Sequence, residues 1–250
     1  MPPVLRLDQV DSTQRAARAL VHDGAPHGTL VVARRQTVGR GRLGRAWHSD
    51  EGGLWLSMII RGALPATRAP RLTLGAAALA LDALDALGAR AAVKWPNDLL
   101  LPHPSPTPRI GPWRKLGGLL LEGVLLDGGV LRAAVLGVGI NVRRPPGGFA
   151  AELAELAVSL QDAGVDVEVD AVLDALAPRL QAHALDAIDD APFTTVLAAL
   201  RVRSATIGRR VEIDGVVGLA ERLDDDGALC VRDDAGALHT VRAGDVQCIV

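Results

Sequence analysis

Gly39-Arg40-Gly41-Arg42-Leu43-Gly44-Arg45-Ala46-Trp47 is the stretch on which the reading of this chain turns. Gly39, Gly41 and Gly44 satisfy the GxGxxG spacing of a dinucleotide site. That site, however, requires a strand before it and a helix opening directly on it. The next residues here are Trp47-His48-Ser49-Asp50-Glu51-Gly52-Gly53, which have no helical character. A phosphate-binding Walker loop needs Lys-Ser or Lys-Thr after its last glycine, and Gly44 is followed by Arg45-Ala46. The HRD and DFG motifs of a protein kinase are absent. A disordered RNA-binding Arg-Gly tail is longer than this, and strands bracket the present stretch. Five arginines fall within the twelve positions 34–45. They repel one another, so an anionic ligand is the natural reason to gather them. The glycines let backbone N–H groups come close to that anion, and the guanidinium forks hold a permanent charge beside it. The expectation is a loop that stays open when empty and orders around an acyl-phosphate.

Outward from this loop, Thr29–Ala33 and Leu54–Ile60 read as its flanking strands. Leu5-Arg6-Leu7 reads as a short strand, and Asp11-Ser12-Thr13 as the cap of a helix through Ala16, Ala17 and Leu20. Apolar spacing predicts a second helix over Leu72–Leu87, stopped at Gly88. Val93-Lys94-Trp95 is a strand ending at Pro96-Asn97-Asp98. The run with Pro102, Pro104, Pro106, Pro108 and Pro112 predicts an irregular loop over 99–114. Lys115, which opens a strand in this reading, starts a hairpin with Val130–Asn141 across Asp127-Gly128-Gly129. Residues 151–201 carry a helical pattern. From Ile207 onward short strands alternate with the turns Asp214-Gly215, Asp226-Gly227 and Ala235-Gly236, suiting a small β-barrel. The expected division is therefore 1–203 for an α/β (α+β) catalytic domain and 204–250 for a small C-terminal domain.

Composition narrows the class. The 250 residues are 49% hydrophobic with a formal net charge of −2. There is thus no general positive field for nucleic acid or anionic lipid. No apolar run reaches bilayer length, and the N-terminus lacks a signal peptide, so the expected location is cytoplasmic. Cys230 and Cys248 have no CxxC spacing, the histidines form no HxxxH or HxH pair, and no metal cage is expected.

Five motifs in order resemble those of biotin protein ligases: Asp11-Ser12-Thr13; Gly39 to Trp47; Lys94-Trp95-Pro96-Asn97-Asp98; Lys115-Leu116-Gly117-Gly118; and Gly137-Val138-Gly139-Ile140-Asn141. Leu223-Asp224 ahead of Gly227-Ala228-Leu229 is similar to the family's C-terminal domain. The resemblance implies a catalytic domain with a mixed sheet, like that of class II aminoacyl-tRNA synthetases, and a small SH3-like β-barrel. It implies that Ser12, Thr13, Gln14, Gln36, Arg40, Gly41, Arg42, Lys115 and Gly118 hold biotin. By the same token Arg42, Arg45, Trp47, Lys115 and Asn141 hold ATP, with Trp47 against adenine, and Lys115 and Arg42 assist catalysis. Lys94, Asn97 and Asp98 either help place ATP with Mg²⁺ or merely form a turn. Three departures stand out: Gln14 where the family usually has Asn, Gly117 where it has Ala, and a longer, proline-rich 99–114 stretch. Only ten residues precede Asp11, which leaves no room for a helix-turn-helix, so no specific nucleic-acid partner is expected.

The implied reaction joins biotin to ATP as biotinyl-5'-adenylate and passes biotin to a lysine on the biotin carboxyl-carrier domain of a biotin-dependent carboxylase. Within the fold the rivals are lipoate ligases and octanoyltransferases; outside it, a non-catalytic biotin sensor. No membrane partner is expected, and a homodimer is left open.

Overall fold

The structure, a computed structural model, describes residues 2–107 and 111–248. In chain order it runs β1 (Val4–Val10), α1 (Thr13–His22), β2 (Leu30–Gln36), β3 (Gly53–Pro65), α2 (Ala69–Ala86), β4 (Ala92–Lys94), β5 (Asp98–Thr107), β6 (Gly111–Asp127), β7 (Val130–Asn141), α3 (Val169–His183) and α4 (Asp190–Val202). The short strands β8 (Arg210–Ile213), β9 (Val216–Leu223), β10 (Leu229–Asp233), β11 (Leu238–Val241) and β12 (Gln247–Cys248) come last. Seven strands form one mixed sheet in the order β1-β2-β3-β7-β6-β5-β4, in which only β1 and β2 are parallel.

Period-two alternation along β3 and β7 divides the two faces of this sheet. Leu54, Leu56, Met58 and Ile60 of β3, with Ala134, Leu136, Val138 and Ile140 of β7, join the main core shared with α2, α3 and α4. Ile59, Ala133 and Val135 point the other way and pack under Ala17 and Val21 of α1. Beyond the start of α1 this second face carries Trp55 and Ser57 of β3, Gly137 and Gly139 of β7, and Gly118 of β6. Three of these five positions have no side chain, and a concavity results.

The C-terminal strands form a second sheet, β11-β10-β9-β8-β12, antiparallel throughout. It is open between β11 and β12 among the described residues, so the expected small barrel is an unclosed one. The β9–β10 turn is clamped to the larger body. Arg71 of α2 donates to Asp190 at 2.7 Å and to Asp226 at 2.6 Å, and lies 4.5 Å from the Phe193 ring centroid. Trp95 Nε1 donates to the Gly227 carbonyl at 2.9 Å.

Three local expectations are corrected. The proline run is the outer part of a β5–β6 arm, not an irregular loop; its Pro108 lies outside the described residues. Prolines at alternate positions 102, 104 and 106 remove N–H donors from one edge of the strand only, and β4 pairs with just the first three residues of β5. Lys115 consequently sits inside β6 and does not open it. The helical pattern from 151 produces turns until Val169. There the backbone is drawn to β6: Lys115 N–H donates to Leu156 O at 2.7 Å and Val158 N–H to Lys115 O at 3.0 Å. Among the described residues no helix is long and apolar enough to cross a membrane.

Candidate functional site

The concavity is a pocket of about 330 Å³, within the usual range for small-molecule sites. Its wall is the arginine loop, which is a narrow extension of β2 and not an open flap. Gln36 N–H donates to Ser49 O at 2.9 Å, Trp47 N–H to Gly39 O at 3.0 Å, and Gly41 N–H to Arg45 O at 2.8 Å. Gly39 is obligatory, because a Cβ there would stand 2.3 Å from the Trp47 carbonyl oxygen. At the tip Leu43 takes a left-handed conformation (φ 55°) and is 74% exposed.

Every residue expected to touch biotin or ATP lines this pocket. At one end, Ser12, Thr13 and Gln14 open α1. Ser12 is fully buried, its hydroxyl makes no cap bond, and its Oγ is without a hydrogen-bond partner. Helix capping therefore does not explain it. A buried hydroxyl without a partner is a standing penalty that a polar ligand relieves. Thr13 is held by Gln36, whose Oε1 accepts from the Thr13 amide at 2.7 Å and its hydroxyl at 3.1 Å. Gln14 Nε2 donates to Glu122 at 3.1 Å, and its Oε1 accepts from Ser57 Oγ at 3.0 Å. The longer side chain reaches past the pocket floor to β6, a use for glutamine at this position. Replacing Ser12 with Ala should leave thermal stability unchanged, because no cap bond is lost. It should raise the KM for biotin about 5- to 30-fold, the value of one or two hydrogen-bond contributions. A fall in the melting temperature with unchanged KM would return Ser12 to a structural role.

At the other end cations and carboxylates interlock. Lys115 Nζ lies 2.7 Å from Asp98 and 5.1 Å from the Trp47 ring centroid. Lys94 Nζ stands 3.9 Å from Asp98 and 4.0 Å from Asp245. Arg45 reaches Asp245 at 2.5 Å. Burial pushes the Asp245 carboxyl up, but the Arg45 hydrogen bond and the charges of Lys94, Arg45 and Lys115 outweigh it and hold the group below its ordinary value. Three cations against two carboxylates leave the cluster net positive, suited to phosphate. Arg42 is positioned by Asn97, whose Oδ1 accepts from it at 2.7 Å while its own Nδ2 donates to Leu119 O at 3.0 Å. The Lys94-to-Asp98 motif is thus more than a turn: it holds Lys115 and Arg42 in place.

Trp47 rests on Gly139, where a Cβ would fall 2.8 Å from its Nε1, and meets Trp55 edge-on with centroids 6.4 Å apart. Asn141 Nδ2 donates to Val158 O at 3.2 Å, which leaves its Oδ1 for a ligand. Sequence reasoning missed Asp245, Ser57, Glu122 and the 145–157 segment, which supplies Phe149 and Leu153 to the pocket. Asp245 comes from the C-terminal region and carries no local signal. Glu122 could have been found from its register, four residues past Gly118 on the same face of β6. Neither Cys230 nor Cys248 lines the pocket, so a cysteine nucleophile of the octanoyltransferase kind has no place in it.

The profile of the Biotin/lipoate A/B protein ligase family matches residues 7–141, over half of the chain, and that of the Biotin protein ligase C terminal domain matches residues 206–248. The biotin–[acetyl-CoA-carboxylase] ligase of Paracoccus denitrificans is 35% identical over 242 residues, covering 92% of this chain and 94% of that protein. The bifunctional ligase/repressor BirA of Bacillus subtilis is 33% identical over 247 residues, covering 96% of this chain and 72% of that protein. The structure of the biotin protein ligase from Aquifex aeolicus in complex with biotin and ATP matches with a TM-score of 0.77 at 25% identity, over 98% of both chains. With both the catalytic and the C-terminal profile matched in order, the chain belongs to the biotin/lipoate A/B protein ligase family and, within it, to the biotin protein ligases.

Proposed function

We propose that the protein is an ATP-dependent ligase that forms biotinyl-5'-adenylate and transfers biotin to a specific lysine of a biotin carboxyl-carrier domain. The observation that carries the reading is one pocket with two unlike ends. An unpartnered hydroxyl and a small polar network lie by α1, and a cluster of Lys94, Lys115, Arg42 and Arg45 lies by the glycine floor.

That polarity dictates the chemistry. The fused ureido ring of biotin is a compact set of donors and an acceptor, which Ser12 and Thr13 suit. Its carboxylate then extends toward Lys115, where the α-phosphate of ATP must also lie. Two anions must meet, and Lys115 and Arg42 offset their repulsion and hold the charge that builds on the phosphorus oxygens. A carboxylate oxygen forms the new bond to phosphorus and pyrophosphate departs with the electrons of the broken P–O bond. The acceptor amine next attacks the acyl carbon, AMP leaves, and the amine gives up a proton. The arginine loop, closed over the mixed anhydride, keeps water away.

Mg²⁺ enters with the triphosphate as part of the substrate. Asp98 and Asp245 are both already paired with cations, and no group of three or more His, Cys, Asp or Glu is set to hold a metal among the described residues.

The test is transfer itself: purified protein, ATP, Mg²⁺, biotin and a purified carrier domain, with the product read by streptavidin binding. The expected result is labelling of one lysine that requires ATP, and no labelling when lipoate replaces biotin. Modification by lipoate and not by biotin would assign the protein to the other branch of the family.

A further inference from the structure

Glu122 of β6 joins two parts of the pocket without facing the ligand itself. It lies beyond Gly118 and Leu120 on the face of β6 that looks toward α1 and the arginine loop. One carboxylate oxygen accepts from Gln14 Nε2 at 3.1 Å, and the other lies 3.4 Å from Arg40 Nη2. From Gln14 the contacts continue without a break. Ser57 Oγ donates toward Gln14 Oε1 at 3.0 Å or Thr13 Oγ1 at 2.8 Å. Thr13 Oγ1 donates to Gln36 Oε1 at 3.1 Å, Gln36 Nε2 to Ser49 Oγ at 2.8 Å, and Ser49 Oγ to the Trp47 carbonyl at 3.1 Å. The chain of contacts starts at Arg40 and ends at Trp47, so both of its ends lie on the arginine loop. Its middle crosses the sheet and the start of α1.

Resting on the function proposed above, we infer that Glu122 is a positioning residue for biotin. It holds Arg40, and with it the arginine loop, against the sheet at the ureido end of the pocket. Together with the Leu120 and Val135 carbonyls, which accept from Gln14 Nε2 at 3.5 and 3.4 Å, it also turns the Gln14 amide with its oxygen toward Ser57. The Gln14 side chain is buried, so which way its amide points decides whether the neighbouring hydroxyls present protons or lone pairs to the ligand. The Arg40–Glu122 pair is half exposed, with side chains 43% and 26% accessible. Pairs of this kind shift an equilibrium by roughly two- to five-fold. That is weak enough to open for entry of the ligand and strong enough to slow its escape. Among the described residues neither charge has a second ion-pair partner, so the pairing is local to this end of the site.

Glu122→Gln keeps an acceptor for Gln14 and removes the charge facing Arg40. The variant should raise the KM for biotin about three- to five-fold and speed release of biotinyl-adenylate by a similar factor, the size expected of such a pair. The KM for ATP, the kcat for pyrophosphate exchange and the melting temperature should stay close to wild type. Because both residues act through one contact, Arg40→Met combined with Glu122→Gln should lose no more than Arg40→Met alone. A residue with a merely structural role would instead lower the melting temperature and leave the ratio of the two KM values unmoved. Wild-type biotin KM in Glu122→Gln, or effects of the two substitutions that multiply, would overturn the inference. If the wild-type protein shows no biotin-dependent exchange, it is the proposed ligase function that fails, an outcome separate from these.

Discussion

Lys115→Ala should abolish adenylate formation in practice while the protein stays folded. Lys115 is half-buried on β6, and no core side chain depends on it, so its loss leaves the sheet intact. Its ammonium lies 2.7 Å from Asp98 and over the Trp47 ring, in the cationic end of the pocket. In the free protein Asp98 balances that charge. When biotin and ATP are bound, the same ammonium faces two anions that must approach each other. Its contribution therefore grows toward the transition state, and contacts of that kind affect the rate more than ground-state binding. Removing one such donor should lower biotin-dependent pyrophosphate exchange by about 30- to 1,000-fold, or about 2–4 kcal/mol. The measurement is exchange at saturating biotin and ATP, with a circular dichroism melt as the folding control. Exchange near the wild-type rate would remove Lys115 from the reaction.

Arg42→Ala should fail differently, by leaking its intermediate. Arg42 is held by Asn97 Oδ1 at 2.7 Å, and Asn97 is in turn tied to Leu119 O. This places a fixed guanidinium beside the Lys115 cluster, next to the exposed loop tip at Leu43. If it clasps the phosphate of the adenylate, its removal loosens the loop at the point where the mixed anhydride must be kept from water. Losing one charge-assisted contact should speed adenylate release by about 10- to 100-fold, the equivalent of roughly 1.5–3 kcal/mol. Rapid filtration of protein preloaded with labelled biotin reads the release rate directly, and labelling of lysines on a bystander protein reads its consequence. Retention as tight as wild type would contradict the role.

What could be read from the chain, and what could not, divides along physical lines. The arginine loop was legible because its chemistry is local: glycines, arginines and two β-branched flanks lie close together in the chain. So were Ser12 and Thr13 at a helix start, and Gly118, which clears the floor beside Lys115. The β5–β6 arm was not, because proline argues against a strand until one knows that its outer edge has no neighbour over most of its length. The 151–168 segment has helical spacing, and its bonds to β6 and to the end of β7 draw it into turns. Asp245 was invisible and Glu122 was missed, although its register with Gly118 offered a signal, for a third reason. Each acts on a residue far along the chain, and only tertiary folding brings Asp245, from the C-terminal region, to Arg45.

Biotin-dependent exchange of labelled pyrophosphate into ATP by the wild-type protein tests the proposed ligase most directly. Exchange requires a reversible attack of the biotin carboxylate on the α-phosphorus, with no acceptor protein present. The expected result is exchange that needs biotin, is lost in Lys115→Ala and is not supported by lipoate or octanoate. Tight biotin binding without any exchange would contradict it and leave a binding protein in place of a ligase.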